Sequence, residues 1–256
     1  MKKRKKLCLL LAVLCLLTAV CGCGKSEPAP EKKVYKAITN ATYPPMDTVD
    51  ENGNIVGFDM DLLNAIAEDQ GFAVEYIDMS FDALVPALEA GNGDIIAASM
   101  VNTPEREARI DFVVYHSGTN CLMTRIDNDT IHSLDDLTAD MKAATQIGSN
   151  FAGMLQEKVE QGTLGEAVLL DGFNECVLQL QNGDVDAVFT SETVAKSFIS
   201  SVGAGKLKIA GQVQGATVGF GIRKGDTELY KMIETGLQNV KDSGKYDEFV
   251  MKWLAD

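Results

Sequence analysis

Residues 81–96 read FDALVPALEAGNGDII, and residues 173–188 read FNECVLQLQNGDVDAV. Aligned without gaps, the two stretches are identical at positions that include Phe81 with Phe173, Leu88 with Leu180, Gly91 with Gly183 and Asp94 with Asp186. Each stretch predicts a helix that ends at a glycine, then a short turn and a buried strand. Because ligands of open α/β sheets bind at the carboxyl ends of strands, two such units predict a two-lobed protein with a cleft. The alternative is that the match arises by chance.

The rest of the chain continues the alternation of strands and helices. The sequence predicts a strand over residues 34–39, an apolar helical spacing over residues 58–67 and a short strand over residues 74–77. The length of 256 residues suits two lobes of about 100 to 120 residues each. We therefore expect an α/β fold in which helices cover a sheet.

The charge of the chain excludes one class of partner. Five of the 23 basic residues lie within residues 2–6, so 18 basic residues stand against 37 acidic ones in the rest of the chain. Non-specific nucleic-acid binding needs Lys and Arg side chains that displace counterions from phosphates. The body of this protein has the opposite sign, and we expect no nucleic-acid partner.

Residues 1–23 predict an export signal. The basic run at residues 2–6 is followed by residues 7–20, which are apolar except for Thr18. A membrane-spanning helix needs roughly 20 apolar residues, so this segment is too short to span comfortably. A charged start followed by a short apolar core is typical of a secretory signal.

The signal ends in VCGCG at residues 20–24, which resembles the lipobox of bacterial lipoproteins. Cys23 is the better candidate for lipidation because the small residue Gly22 precedes it, whereas a larger residue precedes Cys21. We expect a lipid anchor at Cys23 and a flexible polar tether over residues 24–33, which together hold an extracytoplasmic body at the bacterial cell membrane. The alternative is a cleaved signal without a lipid.

Two cysteines, Cys121 and Cys176, remain in the folded body. Both have apolar neighbours in the sequence, which favours two buried free thiols. An exported location also permits one disulfide, and this alternative stays open.

Two helix starts predict sites for an anion. Thr103 followed by Pro104 is typical of the residue that caps a helix and of the first residue inside it. Gly148, Ser149 and Asn150 follow an apolar strand and open another helix. The free N–H groups at a helix N-terminus suit a carboxylate.

The sequence offers little catalytic chemistry. Neither His116 nor His132 has a cysteine or a carboxylate at the spacing of metal ligands, so we expect no metal and no cofactor. The sequence has no nucleophile elbow, phosphate-binding loop or dinucleotide-binding glycine pattern. Asp59 and Asp61 lie two residues apart on a predicted helix and do not share a face, so we interpret them as charges at a helix start. A binding protein is therefore favoured over an enzyme.

Several strings occur in an order and spacing that resemble one known family. They are ATYPPM (41–46), DENGNIVGFDMDL (50–62), MSFDALVPAL (79–88), NTPER (102–106), SLDDL (133–137), VGFGIRKGD (218–226), SGKYD (243–247) and KW (252–253). The resemblance is to the family 3 extracellular solute-binding proteins, the polar amino-acid receptors of bacterial ABC importers. It covers residues 34–256.

The resemblance implies a two-lobed periplasmic-binding-protein type II fold with two crossover strands between the lobes. Residues 34–117 and 217–256 would form the first lobe, and residues 118–216 the second. The implied function is to capture an amino acid or a related small carboxylate in the cleft and to deliver it, as a monomer, to an ABC permease. The alternatives on the same fold are a cyclohexadienyl-dehydratase-like enzyme and a ligand-sensing receptor domain.

The resemblance also implies roles for single residues. Tyr43 and Phe81 would form aromatic walls of the cleft, and Arg106 would grip the ligand's α-carboxylate. The residues implied to assist Arg106 are Ala98, Ser99, Val101, Gly148, Ser149 and Asn150. An arginine fork fits a carboxylate with two hydrogen bonds, although Arg106 alone could also be a solvated helix residue.

Three positions depart from the family pattern. Asn40 and Ser191 stand where the family commonly has Asp, and Val101 replaces a usual Thr or Ser. A buried ammonium group without a counter-charge costs several kcal/mol, so we expect arginine, lysine and histidine to bind weakly. The alternatives are that Glu192 supplies the acid, that the ammonium group rests on the aromatic walls, or that the ligand has no α-ammonium group.

Overall fold

A computed structural model describes residues 32–255 of the chain. The predicted export signal, the predicted lipidation site at Cys23 and most of the predicted tether lie outside the described residues. Within residues 32–255, no helix has the length and the apolar character needed to cross a membrane.

The described residues alternate between strands and helices, as predicted. The strands are β1 (Val34–Thr39), β2 (Thr42–Tyr43), β3 (Asp47–Val49), β4 (Ile55–Val56), β5 (Ala73–Asp78), β6 (Ile95–Val101), β7 (Ile110–Arg125), β8 (Lys142–Gln146), β9 (Glu166–Leu170), β10 (Ala187–Ser191) and β11 (Leu207–Arg223). The α-helices are α1 (Phe58–Gln70), α2 (Leu84–Glu89), α3 (Pro104–Glu107), α4 (Asn150–Glu160), α5 (Phe173–Asn182), α6 (Glu192–Ser201), α7 (Thr227–Asp242) and α8 (Lys245–Trp253).

Eight strands form one mixed sheet in the order β5-β1-β6-β11-β7-β10-β8-β9. In the first lobe, β1 pairs in parallel with β5 and β6. In the second lobe, β8 pairs in parallel with β9 and β10. The long strands β7 and β11 lie antiparallel to each other between these groups, and each also pairs with one lobe. The strands β2, β3 and β4 follow β1 in the first lobe and form a separate antiparallel sheet.

The two repeated stretches fold alike. The helices α2 and α5 are each followed by a glycine in the left-handed region, Gly91 with φ 79° and Gly183 with φ 83°, and then by β6 and β10. Asp94 accepts a hydrogen bond from a backbone N–H of β1 at 2.9 Å, and Asp186 accepts one from a backbone N–H of β8 at 2.9 Å. The similarity between the stretches therefore extends to side-chain contacts.

An arginine side chain binds the turn of each repeated stretch, and we call these two sets of contacts the arginine clamps. Arg223, the last residue of β11, donates to the carbonyl oxygen of the residue before Asp94 at 2.6 Å and to the Asp94 carboxylate at 3.1 Å. Arg125, the last residue of β7, donates to the carbonyl oxygen of the residue before Asp186 at 2.7 Å and lies 4.0 Å from the Asp186 carboxylate. In each lobe, one clamp thus joins the end of a long strand to the turn between the helix and the strand of the repeated stretch.

The ladder between β7 and β11 is irregular near its middle. Its register shifts at three places, between Ile209 and Gly211, between Val213 and Ala216, and between Val218 and Gly219. The two strands approach closely there. Their separation leaves no room for a side chain at Gly215, which would clash with the backbone of Gly118 in the opposite strand. Two of these shifts involve residues that line the cleft, Ala216 and Val218.

Cys121 and Cys176 are both free and buried, which confirms the prediction of two buried thiols. Burial raises the pKa of each thiol to about 12. Both therefore behave as small apolar side chains of the second lobe's core.

Candidate functional site

A cleft lies between the two lobes, and part of it is open to solvent. Strand ends of both lobes border it, as the repeat predicts. The predicted site residues that line it are Asn40, Tyr43, Phe81, Ala98, Ser99, Val101, Ser149, Asn150 and Ser191. Two further predicted residues, Arg106 and Gly148, line an adjoining groove that shares Phe81 and Ser149 with the cleft.

Arg106 bridges the lobes beside the cleft. Thr103 caps the short helix α3 by accepting a hydrogen bond from the Arg106 backbone N–H at 3.3 Å. The guanidinium donates to the carbonyl oxygen of Val101 at 2.8 Å and to that of Gly148, across the cleft, at 2.9 Å. It also lies 5.5 Å from the centre of the Phe81 ring. Burial lowers the pKa of Arg106 to about 10, so the side chain is cationic at neutral pH and is not a solvated helix residue.

The second predicted helix start is found at Ser149. Ser149 caps α4, and its hydroxyl accepts a hydrogen bond from the backbone N–H of Ala152 at 3.2 Å. The preceding Gly148 has φ 73°, a conformation that favours glycine. The N-terminus of α4 therefore points its free N–H groups toward the region that Arg106 borders.

Tyr43 lines the cleft and contacts the second lobe. Its ring lies 4.9 Å from that of Phe173, and its hydroxyl oxygen accepts a hydrogen bond from the backbone N–H of Ser191 at 3.3 Å. Burial raises the pKa of Tyr43 to about 12. Gln146 adds another contact across the cleft by donating to Asn40 at 2.8 Å. The lobes are thus closed on each other in this structure.

Ser99 departs from the role that the family resemblance implies for it. The Ser99 backbone N–H and hydroxyl both donate to the Asp59 carboxylate, at 2.6 and 3.1 Å, and Ser99 is held at φ 43°. Its donors are used within the protein, so toward a ligand the hydroxyl oxygen is an acceptor and Ser99 does not donate to a carboxylate. Asp59 lies in the first turn of α1, as predicted, and its side chain is fully buried. Asp61 lies on the other face and pairs with Lys252 at 2.6 Å.

Sequence reasoning missed Asp47, which lines the cleft. The hydroxyl of Thr39 donates to its Oδ2 at 2.8 Å, and its side chain is buried. Burial, and then the nearby carboxylate of Asp59, raise the pKa of Asp47 well above its usual range. No signal in the sequence marks this residue, because an aspartate near a turn is ordinarily exposed. Asp47 is therefore an acidic residue of the cleft that the sequence analysis did not include.

Glu192 does not supply the acid that Asn40 and Ser191 lack. Its carboxylate accepts a hydrogen bond from Gln212 at 2.7 Å and lies 3.4 Å from the Lys196 ammonium. Glu192 lines a different groove and is not among the described residues that line the cleft. Among those lining residues, Asp47 is the acidic one.

His116 lies in the crossover strand β7 and also lines the cleft. The Tyr246 hydroxyl donates to the carbonyl oxygen of Tyr115 at 2.9 Å, so it accepts from Nδ1–H of His116 at 3.2 Å. Burial lowers the pKa of His116, which favours a neutral ring whose Nε2 is an acceptor.

Comparison with known proteins identifies the family. The sequence profile of the bacterial extracellular solute-binding proteins, family 3, matches residues 35–256. A probable histidine-binding protein of Neisseria gonorrhoeae is 28% identical over 261 residues, with 100% of this chain and 97% of the relative covered. A putative ABC transporter arginine-binding protein of Escherichia coli K12 is 28% identical, with 93% and 98% covered. An ancestral arginine-binding protein solved with arginine is 34% identical, with a TM-score of 0.84 and 88% and 99% covered.

The chain belongs to the family 3 extracellular solute-binding proteins. Its mixed sheet and its structural neighbours confirm the predicted α/β fold of two lobes. The relatives that these comparisons name are amino-acid-binding proteins and not enzymes.

Proposed function

We propose that the protein is the substrate-binding lipoprotein of an ABC importer, which captures an amino acid between its lobes and delivers it to the permease as a monomer. The observation that carries this proposal is a half-buried, cationic Arg106 beside the cleft that contacts both lobes. Family membership and the histidine- and arginine-binding relatives support it. The lobes would comprise residues 34–117 with 217–256, and residues 118–216.

The geometry suggests how an α-amino acid is held. A guanidinium has five N–H donors, and the two carbonyl contacts of Arg106 leave three for the ligand's carboxylate. The N-terminus of α4 at Ser149 and Asn150 provides further donors from the second lobe. On the other side, the hydroxyl oxygen of Ser99 is available to accept from the α-ammonium group.

A thermal-shift screen tests the proposal directly. We expect at least one α-amino acid to stabilise the purified protein, by about 2.7 kcal/mol at about 100 times its Kd, which raises Tm by about 5 to 10 °C. The matched control for each ligand is its decarboxylated amine, such as agmatine for arginine. The amine lacks the group that Arg106 binds and should leave Tm unchanged. A screen in which no amino acid shifts Tm would contradict the proposal.

The lipid anchor gives a separate prediction. Replacing Cys23 with Ala should release the protein from the membrane fraction into the medium, because acyl chains at Cys23 would hold it at the membrane. Cys21→Ala is the matched control and should stay bound. Release of Cys21→Ala with retention of Cys23→Ala would show that the other cysteine carries the lipid.

Delivery to a permease is tested by uptake. Cells that lack this protein should lose high-affinity uptake of the ligand found in the screen. The unmodified chain should restore that uptake, and a variant with a disabled cleft should not. Unchanged uptake in the deletion strain would separate this protein from transport.

A further inference from the structure

The two crossover strands contribute residues to the cleft as well as connecting the lobes. His116, Gly118 and Asn120 of β7 line the cleft, together with Ala216 and Val218 of β11. Residues two apart on a strand point to the same side. This spacing holds from His116 to Asn120, because the extra residue of the ladder in this region lies on β11. These three residues of β7 therefore present one continuous surface to the cleft.

Asn120 presents an amide oxygen on this surface. Its Nδ2 donates to the backbone carbonyl oxygen of Gln214 at 3.0 Å. A carbonyl oxygen can only accept, so this contact fixes the orientation of the amide. Among the described residues, none donates to Oδ1, and this oxygen is not sealed in the core although only 6% of Asn120 is exposed. Oδ1 is therefore an acceptor that opens on the cleft.

His116 presents a second acceptor. Its Nδ1–H donates to the Tyr246 hydroxyl at 3.2 Å, because that hydroxyl gives its own proton to the carbonyl oxygen of Tyr115. The lone pair of the neutral ring is then on Nε2. A Cβ at Gly118 would lie 3.9 Å from this Nε2, so the ring extends along β7 toward Asn120. Nε2 has no hydrogen-bond partner in the part of the chain that the structure describes and is not sealed in the core.

The spacing of the two acceptors suits one –NH2 group. Residues advance by about 3.3 Å along a strand, so Asn120 lies about 6 to 7 Å beyond Gly118, and Nε2 of His116 lies beside Gly118. The two N–H groups of one nitrogen, each with a hydrogen bond of about 2.9 Å, reach acceptors that are about 5 to 6 Å apart. A carboxamide can therefore donate to both acceptors at once.

The chemistry of the two acceptors excludes other side-chain ends. A carboxylate has no N–H group and would turn its own lone pairs toward both acceptors. A thioether or an alkyl chain would leave both acceptors unpaired, which costs free energy in a site closed to water. An ammonium group needs a counter-charge, and neither a neutral imidazole nor an amide supplies one. A neutral –NH2 group is the end that matches.

We propose that His116 and Asn120 determine the ligand specificity of the cleft by accepting the two N–H groups of a neutral –NH2 at the end of the ligand's side chain. This inference rests on the proposed function. It assigns the end of the side chain to the crossover strand β7, while Arg106 binds the α-carboxylate. The side chains that fit end in a carboxamide or a urea group.

Titration calorimetry of the unmodified protein with four amino acids tests this. Glutamine and citrulline end in –NH2. Glutamate has the shape of glutamine without its N–H groups, and methionine has a similar length with neither N–H groups nor charge. We expect the better of glutamine and citrulline to bind about 100-fold more tightly than glutamate or methionine, because a site built for N–H donors rejects analogues that lack them. Competition titrations measure the weak ligands.

Matched variants locate the effect. Asn120→Leu and His116→Phe each remove one acceptor and keep a side chain of similar size. Each should lower the affinity of the –NH2 ligand about 10- to 100-fold and leave methionine affinity within about threefold. A purely structural role would lower the affinities of both ligands equally. The controls Asn182→Leu and His132→Phe make the same replacements at exposed positions outside the cleft and should change neither affinity.

The outcomes separate the two proposals. If glutamate or methionine binds as tightly as the better –NH2 ligand, or if neither glutamine nor citrulline binds while another amino acid does, this inference is overturned and the proposed function stands. These comparisons use the unmodified protein and do not depend on the folding of a variant. Folded variants that keep the preference for the –NH2 ligand likewise overturn the inference. If no amino acid binds, the proposed function fails and this inference fails with it.

Discussion

Arg106 donates hydrogen bonds to two carbonyl oxygens, one in each lobe, and in the proposed site its remaining N–H groups would bind the ligand's carboxylate. We expect Arg106→Ala to weaken amino-acid binding by about 2–5 kcal/mol, the range for truncating one partner of a buried charge pair. Arg106→Lys should also bind poorly, because an ammonium group cannot reproduce the planar fork. Titration calorimetry measures both affinities.

The neighbouring Arg109 provides the control for this prediction. It pairs with Glu89 at the surface, and 44% of its side chain is exposed, so Arg109→Ala should leave ligand affinity unchanged. Near-native affinity in Arg106→Ala would remove Arg106 from the binding site.

Among single residues, the sequence predicted those whose role depends on their neighbours in the chain. Thr103 and Ser149 cap helices as their type and position indicate. Asp47 and Asp59 escaped prediction because their burial depends on packing between segments that are distant in the chain, such as β1 against β3 and α1 against β6. A charged side chain has no hydropathy signal for such burial.

The strands and helices were predictable where a period or a stop signal was strong. β1 begins and ends where the alternation predicted, and α1 extends the predicted helix to Gln70. The sequence did not predict the sheet of β2, β3 and β4, because strands of two or three residues are too short to show a period. It also did not predict the arginine clamps, which join the end of one element to the turn of another.

The arginine clamps should stabilise the two lobes independently. Replacing either Arg125 or Arg223 with Met should lower the free energy of unfolding by about 1–3 kcal/mol, because each leaves buried carbonyl oxygens without a donor. Denaturant unfolding measures the loss. Hydrogen exchange should show faster opening of residues 173–188 in the first variant and of residues 81–96 in the second.

Lys208→Met is the control for the clamps. Lys208 pairs at 3.1 Å with Asp129, whose side chain is 88% exposed, and exposed pairs contribute little. If both clamp variants have the same free energy of unfolding as this control, the clamps do not stabilise the lobes. If each variant speeds hydrogen exchange equally in both repeated stretches, the clamps do not act on the two lobes independently.

Gly148 should control how closely the N-terminus of α4, in the second lobe, approaches the first lobe. A Cβ at this position would lie 2.6 Å from the Cβ of Asp82 in the first lobe, and its φ of 73° disfavours other residues. We expect Gly148→Ala to weaken ligand binding by about 1–3 kcal/mol, because strain of this kind opposes the closed state. Calorimetry measures this change.

The same helix contains a suitable control. Gly153 lies inside α4, and a Cβ there would meet nothing within 4 Å. Gly153→Ala should keep ligand affinity and raise the free energy of unfolding by about 0.5–1 kcal/mol. Equal ligand affinity in the two variants would argue against a role for Gly148 in closure.

At the scale of the whole molecule, ligand should stabilise the closed arrangement. The contacts that cross the cleft include the hydrogen bonds from Gln146 to Asn40 and from Arg106 to Gly148. A ligand that touches both lobes adds to these few contacts and shifts the population toward closure. Small-angle scattering should therefore give a smaller radius of gyration at saturating ligand than without ligand. An unchanged radius would count against hinge closure.

The irregular ladder between β7 and β11 gives the molecule an uneven stiffness. Regular antiparallel pairing resists bending, and the shifts at Val213–Ala216 and Val218–Gly219 interrupt it beside the cleft. A third shift at Ile209–Gly211 extends the irregular part of the ladder toward the second lobe. We therefore expect the two strands to bend within residues 209–219, while the clamps hold their ends to the lobes. A small molecule that contacts both lobes would then rotate each lobe as a unit and would deform neither.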